Sequence, residues 1–177
     1  MWHIEVTSAF LCPVSRLIYF AYGSNMAAAR LGARIRDIRN LGLAHLPGHR
    51  LTFEQRSELD GSGKCDASPT GQAQDQVIGV LWDIPAEEIH VLDGFEGPGY
   101  RRASVWLQRE RDSVCGEIYL ARERHADVLP WHWYKHHVLF GARENRLPDS
   151  YIAHIAQATH NVDPDAARSA REMAIYA

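Results

Sequence analysis

Two short segments of the sequence carry residues suited to chemistry. The first is the stretch 19–26, Tyr-Phe-Ala-Tyr-Gly-Ser-Asn-Met, in which an apolar strand enters a turn at Gly23 and Ser24. Glycine lets the backbone approach a ligand closely, and the free N–H groups at a helix start favour a carboxylate or a developing oxyanion. A strand, a tight turn and a helix cap at Asn25 explain the same residues without a ligand. The segment alone leaves both interpretations open.

The second segment contains one carboxylate among glycines. It spans residues 92–100, Leu-Asp-Gly-Phe-Glu-Gly-Pro-Gly-Tyr, and places Glu96 just after a predicted helix with Phe95 and Tyr100 beside it. A partly apolar pocket raises the pKa of a glutamate from about 4.3 toward neutrality, which suits a general base that later acts as an acid. A solvated loop glutamate is the plain alternative.

The composition indicates a globular protein with a small partner. The chain has 177 residues, of which 46% are hydrophobic and 23% charged, and its formal net charge is −3. A chain of this size buries enough surface for one stable core. The charge provides no general field for attracting nucleic acid or an anionic membrane. We therefore expect a small-molecule partner, with no nucleic acid and no membrane.

The cysteines and the N-terminal residues favour the cytoplasm. Cys12, Cys65 and Cys115 are odd in number and widely separated, which predicts neither a disulfide framework nor a zinc site. The first twelve residues lack a basic start followed by a long apolar run, so we expect no signal peptide. No apolar stretch approaches the roughly 18 residues that a membrane span needs. These features predict a soluble cytoplasmic protein.

The apolar pattern predicts an α+β domain with a curled or closed sheet and helices packed outside. Strands are predicted at 17–22, 49–56, 76–83, 100–108 and 114–121, with a short one near 65–67. Helices are predicted at 27–31, at 83–94, from Pro130 through Val138, after Pro148, and from Asp163 to the end. We interpret residues 1–177 as a single domain, with an N-terminal extension at 1–15, a variable loop at 57–75 and a C-terminal helix at 163–177.

Taken together, the motifs resemble those of the γ-glutamylcyclotransferase family. The pieces occur in family order: Tyr-Phe-Ala-Tyr-Gly-Ser-Asn at 19–25, Leu-Asp-x-x-Glu-Gly at 92–97 with a glycine and tyrosine soon after, Ile-Tyr-Leu at 118–120, Tyr-Lys at 134–135, and Gly-Ala-Arg-Glu-Asn-Arg-Leu-Pro at 141–148. The resemblance covers roughly Leu17 to Ile155. No single packing requirement would place all of these pieces.

The resemblance implies a fold, a reaction and a site. The fold is a small closed or nearly closed, mainly antiparallel β-barrel flanked by helices. In the reaction, the substrate α-amine attacks its own γ-glutamyl amide and releases 5-oxoproline and a free amine, and Glu96 is the catalytic acid/base. The other implied site residues hold or adjoin the substrate: Tyr19, Phe20, Ala21, Tyr22, Gly23, Ser24, Asn25, Tyr100, Tyr119 and Tyr134.

The same resemblance implies no metal and no organic cofactor. It places the protein in the metabolism of γ-glutamyl peptides and glutathione, and it is compatible with a homodimer. Asn25 and Met26 after the glycine and serine favour γ-glutamyl amino acids over γ-glutamylamines or glutathione. A specialised cyclotransferase acting on a secondary metabolite and a non-catalytic module that binds a small carboxylate are the alternative functions.

Other reactive side chains have structural explanations. His132 and His136 lie four residues apart on a predicted helix, which suits a metal, but the helix lacks the glutamate of an H-E-x-x-H motif. Cys65 has no paired base nearby in sequence. Asp163 and Asp165 fit a helix start. We therefore expect structural roles for these residues.

Overall fold

The computed structural model describes residues 15–177. Cys12 and all but the last residue of the predicted extension at 1–15 lie outside the described residues. The strands are β1 (Arg16–Ala21), β2 (Arg39–Pro47), β3 (His49–Arg56), β4 (Gly63–Pro69), β5 (Gln76–Pro85), β6 (Tyr100–Gln108) and β7 (Ser113–Ala121). The α-helices are α1 (Ala28–Gly32), α2 (Ile89–Glu96), α3 (His132–Glu144), α4 (Asp149–Gln157) and α5 (Ala166–Met173). Short 3₁₀ helices span Ser24–Met26, Ala86–Glu88 and Ala174–Tyr176.

Five strands form a closed barrel in the order β1-β5-β2-β6-β7. Neighbouring strands run antiparallel except where β1 meets β7, which pair in parallel at Tyr19 and Glu117 and so close the barrel. Strands β3 and β4 form a separate antiparallel pair. The predicted closed, mainly antiparallel barrel with flanking helices is confirmed.

The core fills the barrel and the space beneath the helices. Strand β5 is buried almost along its whole length, including Val77, Val80 and Leu81, because β1 and β2 flank it and side chains cover both of its faces. Gly79 is required on this strand, since an added Cβ would lie 2.4 Å from the carbonyl oxygen of Ala21. Within residues 15–177, no helix has the length and apolar character needed to cross a membrane.

Several predicted boundaries were wrong. Strand β2 was missed, because residues 39–42 are exposed and a register shift between Asn40 and Leu43 breaks the alternation that marks a strand. The predicted loop at 57–75 contains β4, which is longer than the short strand expected there. Helix α2 continues to Glu96 instead of ending near residue 94, and Gly97, with φ of 69°, ends it. Glu96 is therefore the last residue of a helix and does not lie in a loop.

Candidate active site

A narrow pocket brings most of the predicted site residues together. It has a volume of about 30 Å³, enough for a group the size of one water molecule. Its lining consists of Tyr19, Tyr22, Gly23, Ser24, Asn25, Cys65, Glu96, Tyr100, Tyr119 and Tyr134. Phe20 and Ala21 are buried in the core and are not among the lining residues.

Glu96 lies where this pocket meets a wider cleft, and it lines both. Its side chain is 17% exposed, and burial raises the pKa of its carboxyl group above the ordinary value of 4.5. The positive charges of Arg34 and Arg30 and a hydrogen bond from Asn25 act in the opposite direction. Because burial is the largest effect, the carboxylate is a stronger proton acceptor than a solvated glutamate.

Asn25 connects the loop after β1 to the end of α2. Its Nδ2 donates to Glu96 Oε1 at 3.0 Å and lies 3.0 Å from the hydroxyl oxygen of Tyr19. Its Oδ1 is buried without a hydrogen-bond partner among the described residues. The predicted helix-cap role of Asn25 was wrong: Ala27 occupies the N-cap position of α1, and the Asn25 amide orients the carboxylate instead.

The tyrosine hydroxyls fix the walls of the pocket. Tyr100 donates to the carbonyl oxygen of Cys65 at 2.5 Å, and Tyr134 accepts from the backbone N–H of Cys65 at 3.1 Å. Tyr22 donates to the carbonyl oxygen of Tyr119 at 2.5 Å. Burial raises the pKa of all of these phenols, so they stay neutral.

Cys65 adjoins the pocket as a packing residue. Burial raises the pKa of its thiol to about 12, which leaves it protonated and a poor nucleophile at neutral pH. An added Cβ at Gly23 would lie 3.0 Å from the Cβ of Cys65. The glycine therefore lets the loop after β1 pack directly against β4.

The motif at 141–148 packs against the loop at residues 22–27, between β1 and α1, which we call the site loop. Gly141 of α3 packs so closely that an added Cβ would lie 2.6 Å from the backbone nitrogen of Ala27. Asn145 Nδ2 donates to the carbonyl oxygen of Met26 at 2.9 Å. Glu144 Oε2 accepts from the backbone N–H of Ala28 at 2.8 Å and so caps the start of α1. The sequence motif thus has a structural task that pattern analysis did not reveal.

The backbone N–H groups of the site loop are available to a ligand. Among residues 15–177, no acceptor is found for the N–H groups of Gly23, Ser24 and Asn25, and all three residues line the pocket. Buried N–H groups in proteins are nearly always paired, so such a cluster suits an oxygen atom that carries or develops negative charge.

The wider cleft extends outward from Glu96 and has a volume of about 600 Å³. Its walls include Arg34, Lys64, Trp133 and, from the C-terminal segment, Glu172. Sequence reasoning missed Arg34, whose Nη1 lies 3.7 Å from Glu96 Oε1 and whose guanidinium lies 4.7 Å from the ring centroid of Phe95. No local pattern distinguishes this arginine from the many others in the chain.

The histidines and acids outside the site make structural contacts. His132 Nε2 lies 2.9 Å from the hydroxyl of Ser169, and buried His137 lies 2.9 Å from a carboxylate oxygen of Glu172. Asp165 caps α5 by accepting from the backbone N–H of Arg168. No cluster of three potential metal ligands occurs within residues 15–177.

Comparisons with known proteins agree with this geometry. Residues 76–155 match the AIG2-like family model. γ-Glutamylcyclotransferase from Homo sapiens is 27% identical over 146 residues, covering 76% of this chain and 74% of the relative, and the Mus musculus protein is 29% identical over 147 residues with the same coverage. A solved structure described as a gamma-glutamyl cyclotransferase superposes with a TM-score of 0.79 at 25% identity, covering 92% of this chain and 99% of that one. In its sequence relatives, its barrel and the arrangement of its site motifs, the chain is similar to γ-glutamylcyclotransferases.

Proposed function

We propose that the protein is a γ-glutamylcyclotransferase that converts γ-glutamyl amino acids or related γ-glutamyl amides to 5-oxoproline and a free amine. The observation that carries this proposal is the position of Glu96. A carboxylate with a raised pKa lies at the junction of a cleft of about 600 Å³ and a narrow pocket whose lining includes Gly23, Ser24 and Asn25. The backbone N–H groups of these three residues have no acceptor among residues 15–177. The human and mouse relatives carry the same activity in their names.

The first step is proton transfer. The substrate α-ammonium, with a pKa near 8, donates a proton to ionised Glu96, and the free amine then attacks the γ-carbonyl carbon of the same molecule. Asn25 holds Glu96 Oε1 through a hydrogen bond of 3.0 Å and so limits the positions that the carboxylate can adopt. Burial favours the step, because a carboxylate with a raised pKa accepts a proton more readily.

Negative charge then develops on the γ-carbonyl oxygen. Gly23, Ser24 and Asn25 line the narrow pocket, whose volume of about 30 Å³ matches a single oxygen atom better than the whole γ-glutamyl group. We assign this oxygen to the narrow pocket. One such hydrogen-bond donor typically contributes about 10²–10³ in rate.

In the last step Glu96 gives its proton to the leaving nitrogen as the amide C–N bond breaks. The attacking nitrogen loses its second proton to the regenerated Glu96 carboxylate as it becomes the lactam N–H, and this proton also passes to the leaving amine. The ring closes between the α-nitrogen and the γ-carbon, so the products are 5-oxoproline and the amine, and no water is consumed. Well-oriented intramolecular reactions reach effective molarities of roughly 10⁵–10⁸ M. The protein mainly has to fold the substrate and carry protons from the α-nitrogen to the leaving nitrogen.

The direct test is product analysis with a panel of γ-glutamyl dipeptides. Purified protein should release 5-oxoproline and the free amine in equal amounts, as measured by mass spectrometry. Glutamate as the first product would indicate hydrolysis by an activated water and would refute the cyclisation. Binding of the dipeptides without any product would instead support a non-catalytic module.

A further inference from the structure

Four cationic side chains line the wide cleft, and one of them differs from the others. Carboxylate oxygens of the protein lie 2.7 Å from Arg30, 2.8 Å from Lys64 and 2.6 Å from Arg168. For Arg34 the nearest carboxylate oxygen among residues 15–177 is Glu96 Oε1 at 3.7 Å, which is beyond hydrogen-bonding distance. Three of the cations are thus neutralised by close internal partners, whereas Arg34 is not.

Arg34 is also held in place. Its side chain is only 16% exposed, and its guanidinium lies against the face of Phe95, with 4.7 Å between the guanidinium carbon and the ring centroid. Among residues 15–177 its side-chain nitrogens donate no hydrogen bond. A guanidinium carries five N–H donors in a fixed planar arrangement that matches a carboxylate. A mostly buried guanidinium whose donors have no acceptor in the described part of the chain is suited to an anionic ligand.

The position of Arg34 places it beside the bound substrate. The narrow pocket has room for only about 30 Å³, so the substrate beyond the γ-carbonyl oxygen, including the leaving group, occupies the wide cleft that Arg34 lines. In the proposed reaction Glu96 returns a proton to the leaving nitrogen, and in an α-amino acid the carboxylate lies two bonds from that nitrogen. Because Arg34 Nη1 is 3.7 Å from Glu96 Oε1, a carboxylate on the leaving group comes within its reach.

We propose that Arg34 binds the carboxylate of the leaving amino acid and thereby makes the protein select γ-glutamyl amino acids over γ-glutamyl amides without that charge. The inference rests on the proposed cyclotransferase activity and adds a specificity-determining residue to it. The competing assignment, in which Arg34 binds the α-carboxylate of the γ-glutamyl group itself, makes the opposite prediction for substrates that differ only in the leaving group.

The test compares γ-glutamyl-alanine with γ-glutamyl-alaninamide, which has the same shape but no carboxylate charge. The wild-type protein should show a kcat/KM about 10- to 100-fold higher for γ-glutamyl-alanine, the range expected for a charge-assisted pair of hydrogen bonds. In Arg34→Gln this ratio should fall to about 1. In Arg34→Lys, which keeps the charge but loses the paired donors, it should be intermediate.

The ratio is used because Arg34 also lowers the pKa of Glu96, and that effect is common to both substrates. Arg36→Gln is the matched control, since this nearby arginine has a 92% exposed side chain and does not line the cleft, and its ratio should equal that of the wild type. The thermal midpoint of each variant reports whether it folds.

Each outcome separates the two proposals. If Arg34→Gln lowers kcat/KM equally for both substrates, the inference is overturned and the α-carboxylate assignment is favoured. A wild-type ratio near 1 would also overturn the inference, and it would do so even if Arg34→Gln fails to fold. In both cases release of 5-oxoproline by the wild type would leave the cyclotransferase proposal standing. No 5-oxoproline from either substrate would refute both.

Discussion

Replacement of Glu96 by glutamine should abolish turnover while leaving the fold intact. Glutamine retains the shape of the side chain and can still accept the hydrogen bond that Asn25 Nδ2 donates at 3.0 Å. It cannot accept the ammonium proton. General acid–base catalysis typically contributes 10²–10⁴ in rate, so Glu96→Gln should lower kcat by at least about 100-fold, equivalent to about 2.7 kcal/mol of transition-state stabilisation.

The same substitution should not destabilise the protein at neutral pH. Burial raises the pKa of Glu96 in the folded state, so its stabilising contribution is present below the unfolded pKa and is lost as pH rises through the folded pKa. Above that range the buried charge opposes folding. Glutamine removes this charge, and the thermal midpoint of Glu96→Gln should therefore equal or exceed that of the wild type at pH 8.

The assay measures 5-oxoproline release and the thermal midpoint on the same preparations. Glu87→Gln is the matched control, because Glu87 is exposed in the 3₁₀ turn before α2 and lines neither cavity at Glu96. It should retain wild-type rates. A Glu96→Gln protein that keeps more than about a tenth of the wild-type rate would refute a general-base role of the usual size.

Three further predictions concern pH, the site loop and the nucleophile. Activity should decline on the acidic side through a pKa above 4.5, because Glu96 must be ionised in the free enzyme, and a chelator should not change the rate; a loss that zinc alone restores would shift the assignment to a metal mechanism. Asn25→Ala removes a donor that lowers the pKa of Glu96, so the acidic limb of kcat/KM should move to higher pH; an unchanged limb with a rate within threefold of the wild type would contradict the orienting role of Asn25. A γ-glutamyl dipeptide acetylated on its α-amine should not react, since the amide nitrogen has no competent lone pair, and its cleavage in a mass-spectrometric assay would mean that another nucleophile attacks.

Individual strands could be predicted where the local sequence alone marks their bounds. Strands β3 and β6 have the predicted bounds, because both show apolar residues ending at turn residues. Strand β2 lacks that signal over residues 39–42, and its pairing with β5 and β6 defines it. Its formation depends on tertiary contacts that no local window contains.

The candidate site shows the same division. Gly23 and Glu96 stand out by residue type in their two motifs, and the two motifs together predicted the site from the sequence. Their connection could not be predicted: Asn25 and Glu96 are 71 positions apart, and Asn145 reaches Met26 across 119 positions. No local sequence pattern marks Arg34, because its importance follows from its distance to Glu96 and from the lack of a closer carboxylate in the described part of the chain.

The electrostatics of Glu96 follow from its place at the C-terminal end of α2. The partial negative charge at a helix C-terminus disfavours an ionised carboxylate, and burial acts in the same direction. Asn25 and Arg34 oppose both effects, one through a hydrogen bond and the other through its charge. A general base that must later donate its proton needs this balance, since full neutralisation by a close ion pair would lower its pKa and weaken it as a base. The 3.7 Å separation between Arg34 and Glu96 therefore serves both residues: the carboxylate keeps its basicity, and the guanidinium keeps its donors for the carboxylate of the leaving amino acid.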